Sequence, residues 1–302
     1  MSTIYEIFGR DAHAMTIALM ERAEVITAIP AGASVALKPN LVVAGQPEYG
    51  ATTHAGVLSG TIEYLREHGV RDISIIEGSW VGDSTGRAFR AAGYDAVGKQ
   101  YSVPLYDLKG DKTRQVDTPL RPMDICCRAL DAGYLINLPV LKGHCQARMT
   151  CALKNCKGCL PDREKRRFHA EGLMEPIAAL AAALRPALTI VDSICGDLDF
   201  EEGGQPGAHR PDAAGHRYGA DRRLRVPPHG PGAGAGALHR PGRAVGRGQL
   251  RSGGGGACPP QCPHRRGRVS QAIGRGGRPH PCRPGQERLL RLLCQPGAGP
   301  PP

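Results

Sequence analysis

The residues best able to do chemistry lie between positions 141 and 161, where four cysteines occur: Cys145, Cys151, Cys156 and Cys159. Cys156 and Cys159 are separated by two residues, the spacing at which two thiolates chelate one Zn²⁺ or one iron of a cluster. Cys145 and Cys151 would complete a four-ligand set. The segment therefore predicts a metal site, either an iron–sulfur cluster or zinc. The alternative is that some of these cysteines are small buried apolar residues of a helix.

Basic side chains accompany the cysteines in the same segment. Lys142, Arg148, Lys154 and Lys157 would lower the thiol pKa values and favour an anionic cluster or an anionic ligand. His144 is a candidate base or metal ligand, although a histidine is more often a surface or capping residue. The segment thus favours binding of negative charge, with or without a metal.

Strands and helices alternate along the part of the chain that must position this segment. Apolar runs and cap residues predict, in chain order, a strand at 34–43, a helix at 53–68 capped by Thr53, a strand at 72–78, a helix at 85–92, a strand at 134–141, a helix at 175–184 and a strand at 187–192. Such alternation predicts an α/β fold with a mostly parallel sheet and helices on both of its faces.

Polar residues stand where these strands end. They are Lys38, Asn40, Glu77, Ser79, Asn137, Lys142, His144 and Asp192. In parallel sheets, ligands bind beyond the carboxyl ends of the strands, so the set predicts a ligand site, although each member alone is more often a cap or a solvated loop residue. The glycine-containing turn at 78–86 could add backbone donors for a phosphate or carboxylate.

The last third of the chain differs in composition from the rest. Residues 205–302 contain 17 Arg, no Lys and three acidic residues, together with 21 Gly and 16 Pro. Their net charge is +14, whereas residues 1–204 carry a net charge of −3. The basic character of the whole chain therefore belongs to this tail alone.

Three interpretations of the tail compete. The first is a basic arm that binds nucleic acid, although Tyr218 is its only aromatic residue and no unit repeats. The second is a disordered low-complexity tail. The third is a frame-shifted translation, because GC-rich codons read out of frame give mainly Gly, Ala, Arg and Pro. Read one base later with suitable third bases, 211–221 contains Leu-Leu-Gly-Thr-Asp and 288–296 contains Cys-Ser-Ala-Cys-Tyr.

The first 204 residues predict neither secretion nor a membrane span. Residues 1–15 carry early charges and lack the apolar core of a signal peptide. The apolar stretch 178–191 is interrupted by Arg185 and Pro186. The seven cysteines of this part are then expected to be thiols or metal ligands rather than disulfides. We expect a cytoplasmic protein with no membrane contact, and its oligomeric state is not specified by the sequence.

Several motifs, in this order along the chain, resemble the family catalogued as domain of unknown function 362. They are Lys38-Pro39-Asn40-Leu41-Val42, Ala51-Thr52-Thr53-His54, residues 135–144, Ala152-Leu153-Lys154-Asn155 with Gly158 and Pro161, residues 165–169, residues 188–192, and Glu201-Glu202-Gly203-Gly204. The resemblance covers roughly residues 30–204, which we take as an α/β domain followed by the tail at 205–302.

Members of this family are often described as iron–sulfur-centre proteins, so the resemblance implies a redox or metal-dependent protein. Together with the strand ends and the cysteines, it predicts these roles: metal binding by Cys145, Cys151, Cys156 and Cys159, substrate binding by Lys38, Asn40, Asn137, Lys154 and Asn155, and catalysis by Lys142 and His144. His144 would move protons and Lys142 would bind an anionic group. The expected partner is a redox partner or a small anionic ligand, and the alternative is an anion binder without redox chemistry.

The family pattern continues beyond Gly204 with the Leu-Leu-Gly-Thr-Asp and Cys-Ser-Ala-Cys-Tyr segments, which occur only in the shifted reading. We therefore expect the sheet of the chain as written to be incomplete, and a non-functional product is a further alternative. We predict that the coding DNA across codons 202–211 contains a one-base insertion or deletion whose repair restores both segments. Nucleotide sequencing checks this, and an intact frame that spells neither segment would make the tail a genuine basic extension.

Overall fold

The computed structural model describes residues 4–9, 11–204, 206–207 and 288–294, which belong to one compact unit. The strands are β1 Ile4–Gly9, β2 Val35–Pro39, β3 Ile73–Glu77, β4 Leu105–Asp107, β5 Thr113–Val116, β6 Met123–Cys126, β7 Tyr134–Leu138, β8 Lys142–His144, β9 Arg148–Thr150, β10 Leu188–Ser193, β11 Gly196–Asp197, β12 Pro206–Gly207 and β13 Arg288–Cys294. The helices are α1 Ala12–Arg22, α2 Ala55–Glu67, α3 Thr85–Ala91, α4 Tyr94–Tyr101, α5 Cys127–Leu130, α6 Ala152–Asn155, α7 Asp162–Glu171 and α8 Met174–Leu184.

A seven-stranded sheet in the order β1-β13-β10-β7-β2-β3-β4 forms the centre of the described residues. The five strands β10, β7, β2, β3 and β4 are parallel, and β13 runs antiparallel to both β10 and β1. Three two-stranded ladders, β5–β6, β8–β9 and β11–β12, lie outside this sheet. The predicted parallel α/β sheet is confirmed.

Both faces of the sheet are covered, which explains why β2 is buried along its whole length. Val35 and Leu37 belong to the largest apolar core, to which α1, α2, α3 and α4 contribute. Ala36 points the other way, into a core that includes Ala129 of α5 and Cys159. Because neighbouring residues of a strand face opposite sides, the two cores lie on opposite faces, and the prediction of helices on both faces is confirmed.

The start of α2 differs from the prediction, since the helix begins at Ala55 and Thr53 does not cap it. The Thr53 hydroxyl instead donates to the carbonyl of Leu138, at 2.7 Å, and accepts the N–H of Asn40, at 2.8 Å. Thr53 therefore joins the ends of β7 and β2. The backbone N–H of His54 donates to the carboxylate of Asp192, at 2.8 Å, which places an acidic group from β10 at the helix N-terminus.

Most of the basic tail lies outside the described residues, and so do the predictions of disorder, of nucleic-acid binding and of a frame shift that concern it. Two short stretches are exceptions, β12 and the seven residues of β13. β13 pairs with β10 from Leu188 to Ser193, a position that the sequence does not predict. The domain boundary at residue 204 stays a prediction.

The cysteines of the first 204 residues are thiols with one exception. Six of them are thiols, whereas Cys195 is disulfide-bonded. The expectation that none of the seven forms a disulfide is therefore wrong for Cys195.

Asp192 supports a prediction on pH and stability. Burial opposes its ionisation, but His54 and the backbone N–H groups of His54 and Ile194 hold the pKa of Asp192 below its usual value. A carboxyl group with a depressed pKa stabilises the fold above its unfolded pKa, and this contribution is lost as the pH falls through the folded pKa. We expect Asp192→Asn to lower the free energy of unfolding by about 3 kcal/mol at pH 7 and by less at pH 3.

Urea denaturation at the two pH values measures this difference. The exposed Asp117, changed to Asn, is the matched control and should alter neither value appreciably. An Asp192→Asn effect that stays the same at pH 7 and pH 3 would contradict the assigned role of the charge.

Candidate functional site

A buried ion pair joins the carboxyl ends of β2 and β3. Lys38 Nζ lies 2.6 Å from Glu77 Oε2, and each side chain is only 2% exposed. The same ammonium donates to the carbonyl of Pro39, at 2.8 Å, and to Asn155 Oδ1, at 3.2 Å. All three N–H bonds of Lys38 are therefore used within the protein, which buried charges require if they are not to destabilise the fold.

Two asparagines extend this network to β7 and α6. Asn155 Nδ2 donates to Asn137 Oδ1 at 2.8 Å and to the carbonyls of Lys38 and Pro39 at 3.2 and 3.3 Å. Asn137 Nδ2 donates to the carbonyl of Ala152 at 2.9 Å. The structure thus brings together three of the predicted substrate-binding residues, and in it they bind one another.

Asn40 lies beside the network without joining it. Its side chain is buried, and Oδ1 has no hydrogen-bond partner among the residues that the structure describes. Substrate binding by Asn40 and by the three residues of the network stays a prediction.

Lys165 of α7 secures the end of β3 and was not among the predicted site residues. Its Nζ donates to the carbonyls of Gly78 and Ser79, at 3.0 and 2.9 Å. It also contributes positive charge near Glu77. The only sequence signal for Lys165 is its place in the family motif at 165–169, because nothing local shows that a helix residue reaches a strand 87 positions earlier.

The turn that contains Cys156 and Cys159 covers the Lys38–Glu77 ion pair. Residues Cys156–Cys159 form a short 3₁₀ helix, and within it Gly158 lies against both charged groups. A β-carbon at Gly158 would collide with Glu77 Oε1 and would lie 2.6 Å from Lys38 Cε. The backbone can therefore close over the ion pair only if residue 158 has no side chain.

The cysteines of this turn are buried thiols. Burial raises the pKa of Cys156 to about 11 and that of Cys159 well above its usual value. Cys151, Cys156 and Cys159 are members of three different apolar clusters. Their packing is that of small apolar residues, and the four-cysteine ligand set with Cys145 stays a prediction.

A second group, more exposed, forms where the β8–β9 hairpin meets residues 197–204. One ligand atom each from His144, Cys145 and Glu201 lies within 4.8 Å of the other two. Glu201 Oε1 accepts from Cys145 Sγ at 3.2 Å and lies 3.6 Å from His144 Nε2, and Oε2 accepts the N–H of Cys145 at 3.2 Å. These are residue types that bind metal ions. Glu201 was missed as a site residue, and its one signal was the Glu-Glu-Gly-Gly motif.

The hydrogen bonds of His144 define its tautomer. Its Nδ1 accepts two backbone N–H groups, from Gln146 and Ala147, each at 3.0 Å. Burial, and then the charge of Lys154, lower the pKa of His144 to about 4. The ring is therefore neutral, with its proton on Nε2, facing Glu201.

This tautomer fits a metal ion poorly. A histidine that binds a metal ordinarily donates its other ring N–H to an acceptor, whereas Nδ1 of His144 is itself an acceptor. For a metal to bind at Nε2, that nitrogen would have to lose its proton or the two backbone N–H groups would have to turn away. The three residue types suit a metal, but the hydrogen bonding of His144 favours an anion at Nε2.

Three lysines give this group a positive surrounding. Lys142 is buried and donates to the carbonyls of Ala51 and Glu201 at 2.6 and 2.7 Å, and burial and the charge of Lys154 keep its pKa well below the usual value. Burial also lowers the pKa of Lys154 to about 8 and that of Lys157 to about 7. Neither Lys154 nor Lys157 forms a salt bridge with any described residue.

The turn at 78–86, predicted to supply donors for an anion, does not do so in the structure. Ser84 caps α3 and accepts the N–H of Arg87, at 3.4 Å. The carboxylate of Asp83 accepts the N–H groups of Ala44 and Ser84. These donors are used within the protein and a negative charge occupies the turn, which counts against an anion there.

A family of known proteins matches the part of the chain that contains both the Lys38 and the His144 group. The model of a family described as domain of unknown function (DUF362) matches residues 35–216. The chain belongs to this family. A thylakoid-associated protein of Synechocystis sp. is 29% identical to the DUF362 chain over 176 residues, which are 54% of this chain and 52% of that relative. The chain thus spans about half the length of that relative.

Among the described residues, no helix is both long and apolar enough to cross a bilayer.

Gly158 provides a test of how the first group is built. We expect Gly158→Ala to lower the free energy of unfolding by about 2–3 kcal/mol, since its methyl group displaces Glu77 or Lys38 from a fully bonded pair. Gly110→Ala is the matched control, because a β-carbon there meets no atom within 4 Å, and it should change stability by less than about 0.5 kcal/mol. Urea denaturation of both variants measures the difference, and equal effects would contradict the close approach at Gly158.

Proposed function

We propose that the protein binds a small anionic ligand at the carboxyl edge of its sheet, beside His144, Cys145 and Glu201. The observation that carries the proposal is the state of Lys154 and Lys157. Both are half-buried, both have lowered pKa values, and neither forms a salt bridge among the described residues. A partly desolvated ammonium without a carboxylate partner is unfavourable by itself and becomes favourable when an anion binds.

The neighbouring groups support the same ligand class. The N–H of Cys145 and its thiol both donate to Glu201, and the Nε2–H of His144 faces the same carboxylate at 3.6 Å. Donors that converge on one point, with lysines around them, suit the charged oxygens of a carboxylate or phosphate. In this arrangement Lys154 and Lys157 would attract the anion, and His144, neutral and protonated at Nε2, would orient it. The predicted roles of Lys142 and His144 in catalysis are part of the proposal.

A metal-dependent or redox protein is the second candidate, and the closeness of His144, Cys145 and Glu201 favours it. A zinc ion on these residues, or an iron–sulfur cluster on Cys145, Cys151, Cys156 and Cys159 that exchanges electrons with a redox partner, would follow. The two N–H groups at His144 Nδ1 and the buried thiols count against it. Metal analysis of the purified protein decides: one equivalent of zinc or iron that His144→Ala and Cys145→Ser release would favour this candidate.

We also propose that the protein works in the cytoplasm, which the six thiols outside disulfides support. Association with thylakoids is a property of the relative from Synechocystis. Nucleic-acid binding by the tail and a non-functional frame-shifted product are the other candidates, and both concern residues that the structure leaves undescribed.

Replacing the two lysines tests anion binding. Inorganic phosphate or succinate, at about 100 times its Kd, should raise the Tm of the protein by about 5–8 °C, and Lys154→Gln with Lys157→Gln should remove most of this rise. Without ligand, the double variant should melt at or above the temperature of the unchanged protein, because two buried cations that repel each other are gone.

The control is Lys99→Gln, which removes one positive charge, half the change of the double variant, from an exposed position of α4. It should keep the full rise in Tm. Equal rises in the double variant and in the unchanged protein would contradict the proposal, and so would a double variant that is less stable without ligand.

A further inference from the structure

One carboxylate already occupies the convergent donors of the second group. Residues 198–204, here called the strap, cross the β8–β9 hairpin and bring Glu201 to it. The Glu201 carboxylate receives the N–H and the thiol of Cys145, at 3.2 Å each, and faces the Nε2–H of His144 at 3.6 Å. Both oxygens are engaged, one by the thiol and the imidazole and the other by the backbone.

We propose that Glu201 holds the place of the ligand's own carboxylate, so that the ligand is a small carboxylic acid that displaces Glu201 from these donors. This inference rests on the proposed function and specifies it. A planar group with two oxygens satisfies the N–H of Cys145 with one oxygen and His144 with the other. The donor set is thus matched to a carboxylate, and a phosphate, with a third charged oxygen, matches it less well.

The strap is held mainly by polar contacts, which favours its displacement by a ligand. Its two large apolar side chains, Leu198 and Phe200, are 39% and 50% exposed, so release of the strap uncovers little apolar surface. Polar contacts hold it instead: the Lys142 ammonium donates to the Glu201 carbonyl, and the N–H of Gly204 donates to the Tyr49 carbonyl at 3.0 Å. Segments with few buried apolar contacts are the ones that open at low cost in free energy.

Two glycines end the strap and allow it to turn. Gly203 and Gly204 have φ angles of +78° and +125°, which residues with a side chain rarely adopt. Gly203 also lies against the carbonyl of Tyr49, where a β-carbon would collide. The glycine pair therefore lets the chain turn sharply where the strap ends, close to the backbone of Tyr49.

The test measures binding of two probes, succinate and inorganic phosphate, to the full chain by isothermal titration calorimetry. If Glu201 competes for the donors, its removal raises the fraction of sites that are open, and the apparent Kd falls in proportion. We expect Glu201→Gln to bind succinate about tenfold more tightly than the unchanged protein, with a smaller gain for phosphate. Glu201→Asp, which keeps the charge but is one methylene shorter, should also bind succinate more tightly.

Glu202→Gln is the matched control, because it removes the adjacent charge, and it should change the Kd by less than about twofold. The inference is overturned if Glu201→Gln binds succinate no more tightly than the unchanged protein, if Glu202→Gln gains as much, or if phosphate gains as much as succinate. If Glu201→Gln has a lowered Tm, the Kd of Glu201→Asp for succinate alone tests the inference. Failure of the proposed function looks different: neither probe binds any of these proteins.

Discussion

The buried ion pair between Lys38 and Glu77 constrains most of what surrounds it. Two charges removed from water destabilise a fold unless their remaining hydrogen-bonding capacity is met inside the protein. Two chain segments that are far apart in sequence, one at residues 38–39 and one at residues 155–158, meet that demand here. Asn155 and the Pro39 carbonyl accept from Lys38, and Gly158 lets the backbone close over the pair. The carboxyl edge of the sheet therefore contains a closed network of hydrogen-bonded polar side chains.

This constraint gives the cysteine spacing a structural meaning. Gly158 lies in a tight turn, and Cys156 and Cys159 each pack in an apolar cluster where a small side chain fits. Packing thus holds Cys156 and Cys159 at this spacing, and burial raises the pKa of both thiols. The spacing between the two cysteines follows from the geometry of the turn. The surroundings of each sulfur decide whether it is a thiolate.

Local patterns predicted the parts of the fold that depend on local physics. The runs that became β7 and β10 are mostly apolar and are buried along their whole length, and the helix ending near Leu184 has no competing signal, so these elements are confirmed. The start of α2 was wrong because the Thr53 hydroxyl serves Leu138, 85 residues away. Glu201 could not be found in the same way, since its partner Cys145 lies 56 residues earlier and no spacing rule links them.

The two groups at the carboxyl edge of the sheet differ in how their partly or fully buried charges are balanced. Around Lys38 the charges are matched inside the protein, so this part is rigid and closed. Around His144 lie three lysines, and the carboxylate that faces the imidazole, Glu201, belongs to a strap with little apolar burial. A site that neutralised its lysines permanently would be more stable but could not exchange its anion. A carboxylate on a weakly attached segment keeps the site folded and leaves the donors available to another carboxylate, which is the balance between stability and activity expected of a binding site.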